Sequence, residues 1–379
     1  MTTEIQGTCD DRFSAVKDIL AASIDSGADL GASFAVTLEG ETVVDIWGGW
    51  ADEERSRPWE RDTITNVWST TKTMTALCAL ILADRGELDL DAPVSRYWRE
   101  FGASGKEDSV LVRHLMAHTA GLPGWDEPMT VEDLYDWEKA TSLLAAQSPW
   151  WPPGTASGYH AVTQGYLVGE LVRRITGQTL GEFFAEQVAG PLSADFHIGL
   201  PESEDARVSF VVPPDIDLAG LDATPTAERA LKNPMLDGTE PRTAGWRRAE
   251  IPAANGHGNA RSVALIQAAV ANGGEVAGVK LLSEAGCRRI FEEQARGTDL
   301  VLNVPIRLGV GYGLTAEETP VSPSKNACYW GGWGGSVIVV DLDARLTFAY
   351  MMNRMESGLV GDTRGFALGM TVYQALGLI

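Results

Sequence analysis

The sequence predicts an α/β (α+β) fold: one central antiparallel sheet that draws its strands from both ends of the chain, flanking helices, and an inserted, mostly helical region. Three observations carry this expectation. Strand-like runs joined by a tight turn occur near the N-terminus and again near the C-terminus, and the long middle holds helical patterns broken by Pro and Gly loops. A chain of 379 residues that is 44% hydrophobic can bury one large core or two smaller ones.

Each element has its own signal. Asp10 to Ile24 reads as an amphipathic helix with Phe13, Val16, Leu20 and Ile24 on one face. SFAVTLEGETVVDIWGGWAD then gives two strand runs around Glu39-Gly40, a hairpin. Thr70 to Arg85 is helical and is stopped by Gly86. Breaks follow at SPWWPPGT (148–155) and along the Pro-rich stretch from Pro201 to Pro252. The glycine density of Asn255-Gly256 and Gly258 predicts a turn before a helix over Ala260 to Ala271. GGSVIVVDLDARLTFAYMMNR is a second hairpin turning at Asp341 to Ala344, and a last helix covers about Asp362 to Leu376. These boundaries predict a discontinuous sheet domain (10–62 and 275–379), a mostly helical domain (63–274), and a site at their seam.

Composition excludes some partners. Fifty-two acidic against 30 basic residues leave a formal charge of −22, which repels phosphate backbones and anionic lipid. No nucleic-acid or membrane partner is expected. The first residues, MTTEIQGTCDDRFSAVKD, show neither a basic region nor an apolar one of the signal type, and ALCALILA is too short to span a bilayer. Cys9, Cys78, Cys287 and Cys328 have no metal-like spacing, so a reduced, cytoplasmic protein is expected.

The chemistry-bearing candidate is Ser69-Thr70-Thr71-Lys72. A serine followed three residues later by a lysine occurs three times, at Ser14, Ser69 and Ser322. Ser14 lies beside the apolar stripe of a surface helix, and Ser322 precedes Pro323 in a turn. Ser69 instead opens a long apolar helix, where backbone N–H groups lack partners and the dipole favours negative charge. Lys72, one turn on, shares its face, and the apolar run would desolvate the ammonium and lower its pKa. A serine hydroxyl needs such a partner to attack at neutral pH. The same residues also suit an N-cap and a solvated lysine, and local sequence alone leaves the two readings even.

Further segments separate them. PPGTASGYHAVTQGYLVGELVRRITG and YWGGWGGSVIVVD, taken with Ser69 to Lys72, resemble the three-motif pattern of serine β-lactamases and penicillin-binding proteins. The likeness is strongest to the class C-like branch that includes the family VIII carboxylesterases. LMAHTAGLP (115–123) and GELDLDAPV (86–94) are similar to further segments of that family, in the same order. The resemblance implies a β-lactamase-like fold, Tyr159 in place of the family's Tyr-x-Asn tyrosine, and Trp330-Gly331-Gly332 in place of Lys-Thr-Gly. Two departures matter. Tyr159-His160-Ala161 ends in alanine where penicillin-recognising members carry asparagine, and Trp330 stands where they carry lysine. The esterase branch is known for Trp-Gly-Gly there.

The resemblance therefore implies a serine hydrolase that cleaves carboxylic esters with apolar acyl groups through an acyl-enzyme on Ser69. Lys72 and Tyr159 would be general acid and base, and backbone N–H groups of Ser69 and Trp333 the oxyanion hole. Trp330, Gly331, Gly332, Trp68, Trp151 and His257 are the expected substrate contacts, in an aromatic-walled pocket that Trp150 also flanks. The ligand would be a small-molecule ester, with no metal or organic cofactor needed. An acyltransferase would differ only in deacylating to an alcohol. A β-lactamase or D,D-peptidase would lack its asparagine and lysine here, and a non-catalytic binding protein is expected to lack Ser69, Lys72 or Tyr159. His114 and His118 have the spacing of a zinc helix, but Leu115 replaces the glutamate base such sites use. No Gly-x-Ser-x-Gly occurs, so a nucleophile elbow has no candidate serine.

Overall fold

Both hairpins form, and they meet edge to edge. The computed structural model describes residues 3–214 and 224–379. Its largest element is a nine-stranded antiparallel sheet. The N-terminal end supplies β1 (Gln6–Cys9), β2 (Gly31–Leu38) and β3 (Glu41–Gly49). The C-terminal end supplies β4 (Ala295–Thr298), β5 (Pro305–Leu308), β6 (Gly313–Leu314), β7 (Ala327–Gly331), β8 (Val337–Asp341) and β9 (Leu346–Met352). The spatial order is β1-β3-β2-β9-β8-β7-β6-β5-β4, so the chain ends join where β2 pairs β9, from Leu38 with Leu346 to Ala32 with Met352.

The hairpin turn at Glu39-Gly40 has φ of 52° and 86°, the left-handed pair that a two-residue β-hairpin requires. β2 and β9 read as continuous apolar runs because helices cover both faces of the sheet at this point. Side chains alternate along β9: Thr347 Oγ1 donates to Ala264 O of the Ala260–Ala271 helix, while Phe348 packs on Tyr373 of the Thr363–Ala375 helix. The Ala15–Ser26 helix packs beside that last helix and buries Val16, Leu20 and Ile24, as its periodicity predicts.

The middle of the chain is not purely helical. It contains a second, four-stranded sheet of Phe196–His197, His257–Gly258, Ile64–Asn66 and Val208–Ser209, in that spatial order. Strands of two or three residues carry no readable periodicity, which is why sequence gave no sign of them. The turn expected around Asn255 to Gly258 is accordingly corrected: His257 and Gly258 are strand residues paired with Asn66 and Thr65. Among the described residues no helix is long and apolar enough to cross a membrane.

Candidate active site

The Thr71–Asp84 helix is buried from Thr71 to Leu82, so it is a core element and not an amphipathic one. A single 3-10 turn, Trp68–Thr70, leads into it. Trp68 has φ of 48°, a left-handed conformation that is costly for a bulky residue and that collects at functional sites. Thr71 holds it: its Oγ1 donates to Trp68 O at 2.5 Å and accepts from Gly256 N at 2.9 Å. Thr70, not Ser69, precedes the helix as its cap, with no capping side-chain bond. The Ser69 hydroxyl is thus free of a structural task.

Three groups converge on that hydroxyl. Lys72 Nζ lies 3.0 Å from Ser69 Oγ, and donates to Ala161 O at 2.6 Å and Ala253 O at 2.9 Å. Tyr159 Oη donates to Ser69 Oγ at 2.5 Å. Burial drives the Lys72 pKa well below the ordinary lysine value. Burial pushes the Tyr159 phenol up, outweighing its bond to Ser69, which acts the other way. Both shifts favour uncharged side chains. A neutral amine has two N–H groups and one lone pair; carbonyl oxygens only accept, so the two N–H groups belong to Ala161 and Ala253. The lone pair is left facing the Ser69 hydroxyl.

Glycines bring the third segment in. A Cβ on Gly332 would sit 2.3 Å from both Val67 O and Ser336 Oγ, and one on Gly331 would sit 2.3 Å from Gly361 N. Only glycine lets the end of β7 lie this close to the turn that carries Ser69. Ser336 Oγ bridges the two, donating to Val67 O at 2.8 Å and lying 2.9 Å from Thr70 Oγ1. Trp68 and Trp333 then pack ring to ring at 4.9 Å on the cleft wall.

Of the six expected substrate contacts Trp68 lines the cleft, and Trp330, Gly331, Gly332, Trp151 and His257 do not: the two glycines are buried in the close approach of β7 to the Ser69 turn. The Trp330 indole is 1% exposed, stacked on His118 at 5.4 Å and tilted against Tyr159 at 5.7 Å. A tryptophan on a strand edge looks like wall in a sequence; here it is the floor under the tyrosine. Trp151 Nε1 donates to Ala156 O, and its ring covers Gly158, where a Cβ would meet it at 2.4 Å. His257 is fully buried, its Nδ1 bonded to Asn255 O at 2.8 Å, and burial pushes its pKa down to about 3.

The other sequence candidates have structural tasks. His114 Nδ1 accepts from Leu111 N and His118 Nδ1 accepts from His160 N, so the two histidines face different partners. His160 donates from Nδ1 to Gly158 O and accepts at Nε2 from Leu122 N, and burial pushes it to about 3. Ser322 Oγ donates to Asp341 Oδ2, with Lys325 exposed, and Ser14 is exposed.

The cleft in front of Ser69 opens on about 1030 Å³ of empty space, the solvent at its mouth included. Trp68, Tyr159, Ala161, Val162, Ala254 and Trp333 line it, with Pro123 and Trp125. The remaining wall was not foreseen: it is the Pro225–Leu231 helix with the following Lys232 to Leu236, and Leu359. Its seven residues are too few for a helical period to show, and it lies within the Pro-rich stretch. It is tied down at two points. Arg229 stacks over Trp150 at 3.9 Å and lies 2.5 Å from Asp126 Oδ1, which also accepts from Trp150 Nε1. Asn233 Nδ2 donates to Trp125 O and Glu127 O.

A family model described as Beta-lactamase matches residues 16–368. The esterase/beta-lactamase LipL of Mycobacterium tuberculosis is 36% identical over 375 residues, which is 95% of this chain and 86% of that protein. The crystal structure of a family VIII carboxylesterase is similar at a TM-score of 0.93 and 43% identity, covering 98% of this chain and 100% of that one. A penicillin-binding protein homologue from Caulobacter crescentus gives a TM-score of 0.94 at 39% identity, with 98% and 100% coverage.

Proposed function

This chain belongs to the beta-lactamase family, and we propose that within it the protein is a hydrolase of carboxylic esters with apolar acyl groups, working through an acyl-enzyme on Ser69. The observation that carries this reading is the convergence of Lys72 Nζ and Tyr159 Oη on one serine hydroxyl, each in a setting that favours its neutral form. Lys72 accepts the Ser69 proton as Oγ attacks the ester carbonyl. Tyr159 gives its proton to the departing alkoxide, and the resulting phenolate is offset by the new ammonium, which lies 4.8 Å from the ring centre. In the second half Tyr159 takes a proton from water, hydroxide attacks the acyl-enzyme, and Lys72 returns its proton to Ser69 Oγ. Protons and charges balance over the cycle.

The oxyanion hole of this reading is the N–H pair of Ser69 and Trp333. Their neighbours are already committed: Thr70 N donates to Val67 O, Gly332 N to Ser336 O, and Gly334 N to Gly358 O. Each donor in such a pair is worth about 3 kcal/mol of barrier.

The cleft supports the substrate class. Lys232 is the one cation among its described lining residues, and it is paired with Glu228 at 2.6 Å. An anionic β-lactam therefore meets no free positive charge, and Ala161 offers a methyl group where an amide would bind it. A neutral ester gains burial of apolar surface at about 25 cal/mol per Å². Treatment with a fluorophosphonate followed by peptide mass spectrometry tests the nucleophile: label on Ser69 is expected, and label elsewhere, or full esterase activity in Ser69→Ala, overturns the reading.

A further inference from the structure

We propose that Asp299 is a positioning residue for Tyr159, holding the backbone that sets the phenol against Ser69. The residue directly follows β4 and begins the hairpin tip that returns to β5, and it is 1% exposed. Its Oδ1 accepts three backbone N–H groups at 2.9 Å each, from Val301 and Leu302 within the tip and from Tyr159, 140 residues away. A second bond, Leu300 N to Ser157 O at 2.9 Å, ties the same two segments together two residues earlier.

The tyrosine segment is thus clasped from both sides. Gly158 N and His160 N donate to His118, to its carbonyl oxygen and its Nδ1, while Tyr159 N in between goes to Asp299. Val301, placed by the same carboxylate, is buried in one apolar cluster with Tyr159 and Trp330. The other carboxylate oxygen, Oδ2, is buried and has no partner among the described residues. Burying a carboxylate this way is costly, and three N–H groups converging on one oxygen are what offsets it. What those bonds secure is the height of a tyrosine whose hydroxyl is 2.5 Å from the nucleophile. Displacement of a reacting group by about 1 Å can cost on the order of 10²-fold in rate.

The inference rests on the reading of Tyr159 as the acid that protonates the leaving oxygen, and leaving-group dependence tests it. p-Nitrophenolate departs without a proton and an alkoxide does not, so loss of the acid penalises alkyl esters selectively. The readout is kcat/KM for p-nitrophenyl butyrate and butyl butyrate, which share one acyl-enzyme and differ in acylation alone. In the 379-residue chain, Tyr159→Phe defines the selective loss. Asp299→Ala is expected to lower kcat/KM for butyl butyrate about tenfold more than for p-nitrophenyl butyrate, and Asp299→Asn, which keeps an acceptor oxygen, to recover to within about threefold. Asp299→Glu, which keeps the charge and shifts the oxygen, should show the selective loss too, and it decides the matter if the alanine variant does not fold. Equal losses on both esters, or none, in the folded variants overturn the proposal. If Tyr159→Phe itself is unselective, the acid assignment falls first; if it is selective and the Asp299 variants are not, Asp299 alone is misassigned.

Discussion

Lys72 reaches back one helical turn to place Nζ 3.0 Å from Ser69 Oγ, and its two other partners are carbonyl oxygens from Ala161 and Ala253. Neither is an anion, so nothing in direct contact stabilises an ammonium by charge. The lysine is held by acceptors yet denied a counter-ion, which is the environment that leaves a base on the serine.

Removal of either proton-handling group should therefore be severe. Lys72→Ala and Tyr159→Phe are each expected to lower kcat by at least about 10²-fold, the usual scale for general acid–base loss. The double variant should fall far short of the product of the two, because the pair acts as a unit. Steady-state rates on butyl butyrate, whose alkoxide needs the acid, check both points. Near wild-type kcat in Tyr159→Phe, with activity abolished in His257→Ala, would replace the lysine–tyrosine pair with a serine–histidine one.

Stability should carry the signature of the buried amine. The folded-state pKa of Lys72 is depressed, while the unfolded chain binds the proton up to about pH 10.4. Between those two values the unfolded state holds more protons, so raising the pH stabilises the folded form. Wild type is expected to gain stability relative to Lys72→Met as the pH rises from 7 towards 10, by urea midpoints measured side by side. A constant or shrinking difference would mean that the folded protein carries the ammonium.

Gly332→Ala should disable the site without touching a side chain in it. The added Cβ would lie 2.3 Å from Val67 O and Ser336 Oγ, so the end of β7 has to retreat from the Ser69 turn. That moves Trp333 N–H, and a lost oxyanion donor costs about 10²-fold or more in kcat. Rates and a thermal melt of the variant give the answer; a kcat within threefold of wild type would remove Trp333 from the oxyanion role.

Substrate choice should follow the cleft lining and not Trp330. kcat/KM for p-nitrophenyl butyrate is expected to exceed that for nitrocefin at least about 10²-fold, since a charge-assisted contact of roughly 1.5–3 kcal/mol is missing for the anion. Comparable efficiencies under one set of conditions would return the chain to the β-lactamase reading.

What the amino-acid sequence determined by itself is what one helical turn or one pleat can encode. The Ser69–Lys72 spacing, the apolar run behind it, both hairpins, the first with its turn at Glu39-Gly40, and the faces of the first helix all follow from nearest-neighbour geometry. Tertiary structure alone decided the rest. The carbonyls that hold Lys72 come from 89 and 181 residues downstream, and no period in the chain announces them. Trp330 went under Tyr159, and His257 into a two-residue strand, because burial depends on what packs above a residue and not on its type. The cleft wall over 225–236 and the Asp299 clasp were silent for the same reason. Desolvation and convergence are properties of distant segments brought together, and they are what turns a serine near a lysine into a site.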